Sequence, residues 1–160
     1  TGMEKEGKII FHDLLYDLGL SAHQQENLMI KVEYASPRRA PQPVTAMLSR
    51  FGFITQVATL PLSALCARKL IALRERRRLQ PRDLYYLVWF FSRRVTPDKI
   101  TLRNYGVRSV PDFRDELLQL LQRHRSKFVE YERDLRPLAL DQEKVSAIRF
   151  LPDLLTKFLS

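Results

Sequence analysis

Lys69-Leu70-Ile71-Ala72-Leu73-Arg74-Glu75-Arg76, continued as Arg77-Arg78-Leu79-Gln80-Pro81-Arg82-Asp83-Leu84, holds the end of one helix and the start of another. Leu62, Leu65, Cys66, Lys69, Leu70 and Leu73 recur at the spacing of a single helical face. That pattern lapses at Leu79-Gln80. Pro81 suits the first position of a new helix, where a missing N–H costs nothing. Asp83 then falls in the first turn, where the helix dipole favours a negative charge. Leu84, Leu87, Val88 and Phe91 supply the buried stripe of this second helix.

Downstream, the same period predicts helices over 97–105, behind a Thr96 cap, and over 111–124, behind Ser109 or Val110. The second of these carries Asp112, Asp115 and Glu116 early and Arg123 and His124 late, as the dipole prefers. The tail from Asp141 reads as helical, with a break at Pro152. Upstream, Thr1-Gly2 before Met3 reads as a cloning or processing remnant. Ile10, Leu14, Leu15 and Leu18 are spaced for a helix that Gly19 ends. Leu28, Ile30, Val32 and Tyr34 alternate with Lys31 and Glu33, which predicts a half-buried strand. Pro37, Pro41 and Pro43 make an irregular connection. Val44 to Arg50 and Phe53 to Thr59 then pair as a hairpin across Phe51-Gly52. A few strands followed by a helical half make an α+β chain. The expected division is residues 3–60 and 61–160, within one compact unit.

Composition narrows the function classes. With 45% hydrophobic and 28% charged residues the 160-residue chain can build a core and is neither disordered nor membrane-spanning. The apolar run 84–91 is too short for a bilayer, and no secretion leader is expected. A lone Cys66 fits a reducing cytoplasm, and Cys66 with His12, His23 and His124 gives no zinc spacing. Lysine plus arginine number 27 against 18 acidic residues, a net charge of +9. Such a surface attracts polyanions, and the arginines suit two-pronged contacts with phosphate. A solvated basic face without a ligand accounts for the same composition.

Within the quoted stretch, Lys69 and Arg76 lie seven apart and so within about 20° of each other on a helix. Ala72 between them leaves room for a ligand to approach. Arg82 and Asp83 open the next helix, whose N-terminal amides favour anions. Several cations therefore converge on one corner around a single carboxylate, a setting that suits a triphosphate. The plainer alternative is a solvated Lys/Arg stripe and a helix start with a local ion pair.

The sequence K-x-x-A-x-x-x-R (Lys69, Ala72, Arg76), a short basic linker and then R-D-L-Y (Arg82 to Tyr85) resembles two consecutive motifs of the AbiEii/AbiGii toxin family of bacterial nucleotidyltransferases. The resemblance extends over about residues 8–92, through Tyr16-Asp17-Leu18-Gly19-Leu20, Ile30-Lys31-Val32-Glu33 and the hairpin. It implies a partial polymerase-β-like nucleotidyltransferase sheet edge followed by a helical C-terminal bundle. It also implies transfer of a nucleotide from a nucleoside triphosphate with Mg²⁺ to RNA such as tRNA, or to protein, in a bacterial toxin–antitoxin or abortive-infection system. By the resemblance, Lys69 and Asp83 are catalytic, Lys69, Arg76 and Arg82 hold the triphosphate, and Glu33 is a metal-site carboxylate. A cognate antitoxin is an implied partner.

The family's first motif, a Gly-Ser turn followed by Asp-x-Asp, is missing: no Asp-x-Asp occurs, and Ser36, Ser49 and Ser63 lack a preceding glycine. Tyr86 stands where the family often carries a second acid. Two-metal chemistry needs that carboxylate cluster, so the chain reads as the C-terminal part of such an enzyme, inactive by itself. A part of this kind should show open strand edges and exposed apolar surface. The other reading is a non-enzymatic basic module that binds RNA or protein, with Tyr34, Tyr85, Trp89 and Tyr105 available for base stacking or, more simply, for packing.

Overall fold

Glu4–Phe11 and Leu28–Ala35 pair edge to edge as the antiparallel strands β1 and β2, in the register Glu4↔Ala35 to Phe11↔Leu28. Opposite residues of an antiparallel pair share a face. Ile9 and Phe11 therefore lie with Leu28, Ile30 and Val32, while Glu6 and Lys8 lie with Lys31 and Glu33. The computed structural model describes residues 4–35, 41–50, 52–139 and 141–159, with the side chains of residues 4, 5, 34, 35 and 50 left aside. Thr1-Gly2, Ser36, Pro37 and Phe51, and the Tyr34 ring, lie outside what is described. By its contacts the chain divides into two units, Thr1–Ala40 and Pro41–Ser160. The hairpin thus belongs with the helices, whereas the sequence division had set it with the first strands.

In the first unit, the strand expected around Leu28 is present but not half-buried: no described side chain from 6 to 33 is buried. The helix expected through Ile10 shrinks to α1 (Leu14–Asp17). Ile10 belongs to β1, and Asp13 turns the chain in the left-handed region at φ 59°. A weak helical spacing has yielded to a strand that satisfies eight residues of backbone in register with β2. Gly19 follows α1 with φ 67°, the expected left-handed stop.

The second unit begins with β3 (Val44–Arg50) and β4 (Phe53–Thr59), paired as expected from Val44↔Thr59 to Arg50↔Phe53. Gly52, at φ 78°, takes the backbone conformation this two-residue turn requires. Among the described residues the strands form two separate two-stranded sheets and not one continuous sheet edge. The fold is mixed α+β.

The buried core of the described residues lies in the helical part, on α2 (Leu62–Glu75), α3 (Pro81–Ser92), α4 (Lys99–Asn104), α5 (Val110–Arg123), α6 (Phe128–Leu135), α7 (Gln142–Ser146) and α8 (Leu151–Phe158). Leu79, Val107, Ile148 and Leu159 are added from the segments between and after them. The stripe Leu84, Leu87, Val88 and Phe91 of α3 is buried as its spacing predicts, against Leu70 and Leu73 of α2 and Ile148, Leu151 and Leu155 from the C-terminal elements. Phe91 stacks on Phe158 at 4.9 Å between ring centroids.

Three details differ from the sequence reading. Asp98, not Thr96, caps α4: its carboxylate accepts from the Thr101 amide at 2.7 Å and also from the Thr101 hydroxyl. The Thr101 hydroxyl, more than its amide, holds the Asp98 carboxyl below its usual range. Helix α6 was not expected, and its Glu132 is buried in a two-pronged pair with Arg149. Pro152 does not break a helix but sits in the first turn of α8, after a 3₁₀ turn over Ala147–Phe150. Ser109 caps α5 through the Asp112 amide, as expected. No described helix is long and apolar enough to cross a membrane.

Candidate functional site

Lys69 sits two turns before the end of α2, and Arg76 is the residue that caps this end, its N–H donating to the Ala72 carbonyl at 3.2 Å. Residues 77–80 then cross to α3, where Gln80 is extended and Pro81 starts the helix. The Asp83 N–H donates back to the Gln80 carbonyl at 2.9 Å, closing the first turn. Because the turn is closed by backbone, the Asp83 side chain is free of capping duty and points across to α2.

There it meets both cations. Lys69 Nζ donates to Asp83 Oδ1 at 2.9 Å, and Arg76 Nε lies 3.2 Å from Oδ2. Arg76 is close enough for an ion pair but outside hydrogen-bonding geometry, so the buried Oδ2 has no hydrogen-bond donor. The Asp83 side chain is 0% exposed, whereas those of Lys69 and Arg76 are 31% and 34% exposed. Lys69 Nζ also stands 4.7 Å from the centroid of the Tyr86 ring, one turn further along α3. One ammonium is thus fixed by a carboxylate and an aromatic face together.

Three of the four residues drawn from the corner, Lys69, Arg76 and Asp83, are therefore brought together. Arg82 is exposed and makes no ion pair among the described residues. Glu33 lies in the first unit on β2, 70% exposed, with Lys31 Nζ 2.6 Å away. Glu33 foremost, and Glu6 with it, holds the Lys31 ammonium above its ordinary pKa. The sequence reading missed Tyr86 as a partner of Lys69, although its spacing of three from Asp83 puts it on the same face of α3. Arg74 faces elsewhere, donating to the Tyr105 carbonyl at 3.0 Å and lying over the Phe113 ring.

The chemistry open to this cluster follows from its donors. An ammonium has three N–H groups and a guanidinium five. Asp83 accepts one of them, from Lys69, and the rest remain for an anion at the partly exposed side of Lys69 and Arg76. Asp83 itself is enclosed between cations. In this arrangement it accepts from the Lys69 ammonium and holds it against α3. The residues present do not fit a Mg²⁺ site: both Asp83 oxygens face cations, Glu33 is engaged by Lys31, and no three His, Cys, Asp or Glu side chains cluster among the described residues. Comparison with protein families, with characterised proteins and with solved structures returns no match for this chain.

Proposed function

We propose that this chain supplies the phosphate-handling part of a nucleotidyltransferase resembling the AbiEii/AbiGii toxins. In this reading a bacterial cytoplasmic enzyme transfers a nucleotide from a nucleoside triphosphate to RNA, such as tRNA, or to a protein, and an antitoxin restrains it. The observation that carries the reading is the meeting of Lys69 and Arg76 on Asp83, two consecutive motif segments from separate helices joined at one corner. Asp83 holds the Lys69 ammonium in place, and Lys69, Arg76 and the exposed Arg82 neutralise the triphosphate. Prepositioned cations are what phosphoryl and nucleotidyl transfer chiefly demand of a protein. The exposed apolar side chains of the strands, such as Ile9, Ile30, Met47 and Ile54, agree with surface meant to be covered. Mg²⁺ belongs to the complete reaction, yet the residues described do not build its site, and no step is assigned to it. For the same reason these 160 residues alone are expected not to turn over.

Labelled ATP, CTP, GTP and UTP, offered in Mg²⁺ buffer with total bacterial RNA to the protein carrying its complete reading frame, test the proposal. Label entering RNA or protein, and disappearing with both Lys69→Ala and Asp83→Ala, supports it. No incorporation by a folded protein, or incorporation indifferent to both substitutions, favours the second reading, a basic module that binds RNA or protein. One observation supports that alternative specifically. A fully buried carboxylate gripped from α2 locks two helices together whether or not a ligand comes, leaving Arg77, Arg78 and Arg82 outside it without ion pairs among the described residues.

A further inference from the structure

Beside Lys69, α2 and α3 leave a groove of about 370 Å³. Leu65, Arg68, Lys69 and Ala72 line it from α2, and Tyr86 and Phe90 from α3. The α2 residues fall at i, i+3, i+4 and i+7 and the α3 pair four apart, so each set forms a single helix face. Phe90 is buried while Tyr86 is 44% exposed, which leaves its ring accessible to a ligand. The only charged side chains in the lining are two cations, and one of them, Lys69, is the ammonium that Asp83 holds at 2.9 Å.

We infer that this groove receives the aromatic base of a nucleotide whose phosphates meet Lys69. The inference rests on the nucleotidyltransferase reading and adds to it a place for the base. A largely apolar recess of a few hundred cubic ångströms with a few convergent polar groups has the character of a small-molecule site. A free polyphosphate would use the cations but gain nothing from Leu65, Ala72, Tyr86 and Phe90. An uncharged apolar ligand would fill the recess but waste the cations. A flat aromatic ring carrying a polyphosphate uses both. The lining offers no amide or carboxylate side chain to read base edges, so selection is by ring area. Purine nucleotides bind more tightly than pyrimidine ones, and adenine and guanine are not distinguished.

Calorimetric titration of the chain with ATP, GTP, UTP and inorganic tripolyphosphate tests this, alongside Tyr86→Ala, Tyr86→Phe and Lys69→Ala. Stacking one base is expected to bring ATP and GTP about 10- to 100-fold below tripolyphosphate in Kd. Tyr86→Ala should bring ATP back close to the tripolyphosphate value measured on the same variant, and Tyr86→Phe should keep the difference. Lys69→Ala should weaken ATP and tripolyphosphate alike. If ATP and tripolyphosphate bind equally to the unmodified chain, or if their difference survives Tyr86→Ala, the base subsite is refuted and the phosphate site stands. If neither ligand binds, or if both are indifferent to Lys69→Ala, the phosphate site falls and the subsite with it.

Discussion

Replacing Lys69 with alanine removes the one cation that hydrogen-bonds the buried Asp83 carboxylate. A hydrogen bond to a charged group contributes about 1.5–3 kcal/mol, and about a third of the Lys69 side chain is exposed, 31%, so the low end of that range is expected. Arg76, at 3.2 Å, without hydrogen-bonding geometry and with 34% of its side chain exposed, resembles a surface pair. Its alanine variant should cost about 1 kcal/mol or less. Removing both cations strands a charge with no exposure, and breaking a buried pair in this way costs about 3–5 kcal/mol. That is a large part of the roughly 5–15 kcal/mol that holds a typical domain together. Adding Asp83→Asn to the Lys69→Ala/Arg76→Ala variant should then recover at least about 1 kcal/mol, because a neutral amide loses less on leaving water. Urea unfolding at pH 7, followed by far-UV circular dichroism and extrapolated linearly, reads all four values. A double variant within about 0.5 kcal/mol of the unmodified chain, or a triple variant less stable than the double, would refute the claim that two cations neutralise Asp83.

Cys66 is fully buried, and burial pushes its thiol from 9.0 up to about 12. It should resist alkylation at pH 8 until the chain is unfolded, and rapid labelling of the native chain would contradict the packing of α2. Because this pKa is raised on folding, stability should be lost as pH climbs from 9.0 toward 12, and Cys66→Ala should flatten that alkaline decline. Asp98 carries the opposite sign. Its depressed carboxyl adds stability above the ordinary value of 3.8 that is lost as pH falls below it. Asp98→Ala should cost about 1 kcal/mol at neutral pH, with the gap to the unmodified chain closing in acid. Phe91→Ala, which empties a site 2% exposed and unstacks Phe158, should cost about 3–5 kcal/mol in the same unfolding experiment.

How much of this could be read from sequence depended on whether the signal was local. The α3 stripe is periodic over about two turns, and its burial follows that period directly. On α2 the spacing found Cys66, Leu70 and Leu73, but Leu62 is exposed and Ala64, Ala67 and Ile71 are buried as well. The β3–β4 register was equally legible, because a glycine between two alternating runs leaves few ways to pair them. Strand β1 was hidden because half of it is charged and because Ile10 could be counted into a helical spacing with Leu14. Only pairing with β2, seventeen residues beyond the end of β1, decides otherwise. Helix α6 was overlooked among its charges, although Phe128, Tyr131 and Leu135 carry the spacing of a buried face. At the site, heptad spacing drew Lys69 and Arg76 together, and the proline start placed Asp83 near them. That Asp83 would be wholly enclosed was not legible, since enclosure depends on the packing of α2 against α3. The Tyr86 contact with Lys69 needed the same packing angle.

The confinement of the core to residues downstream of Pro61 has a consequence for the order of synthesis. The strands β1 to β4 leave the ribosome first, carrying Ile9, Ile30, Met47 and Ile54 in exposed positions. At about 5–20 residues per second, the 100 residues of the stretch 61–160 need about 5 to 20 s to follow. For that interval the apolar strands are out without the helical core encoded behind them. On β1 and β2 the charges within the strands, Glu6, Lys8, Lys31 and Glu33, then act as a guard against edge-to-edge association with neighbouring chains.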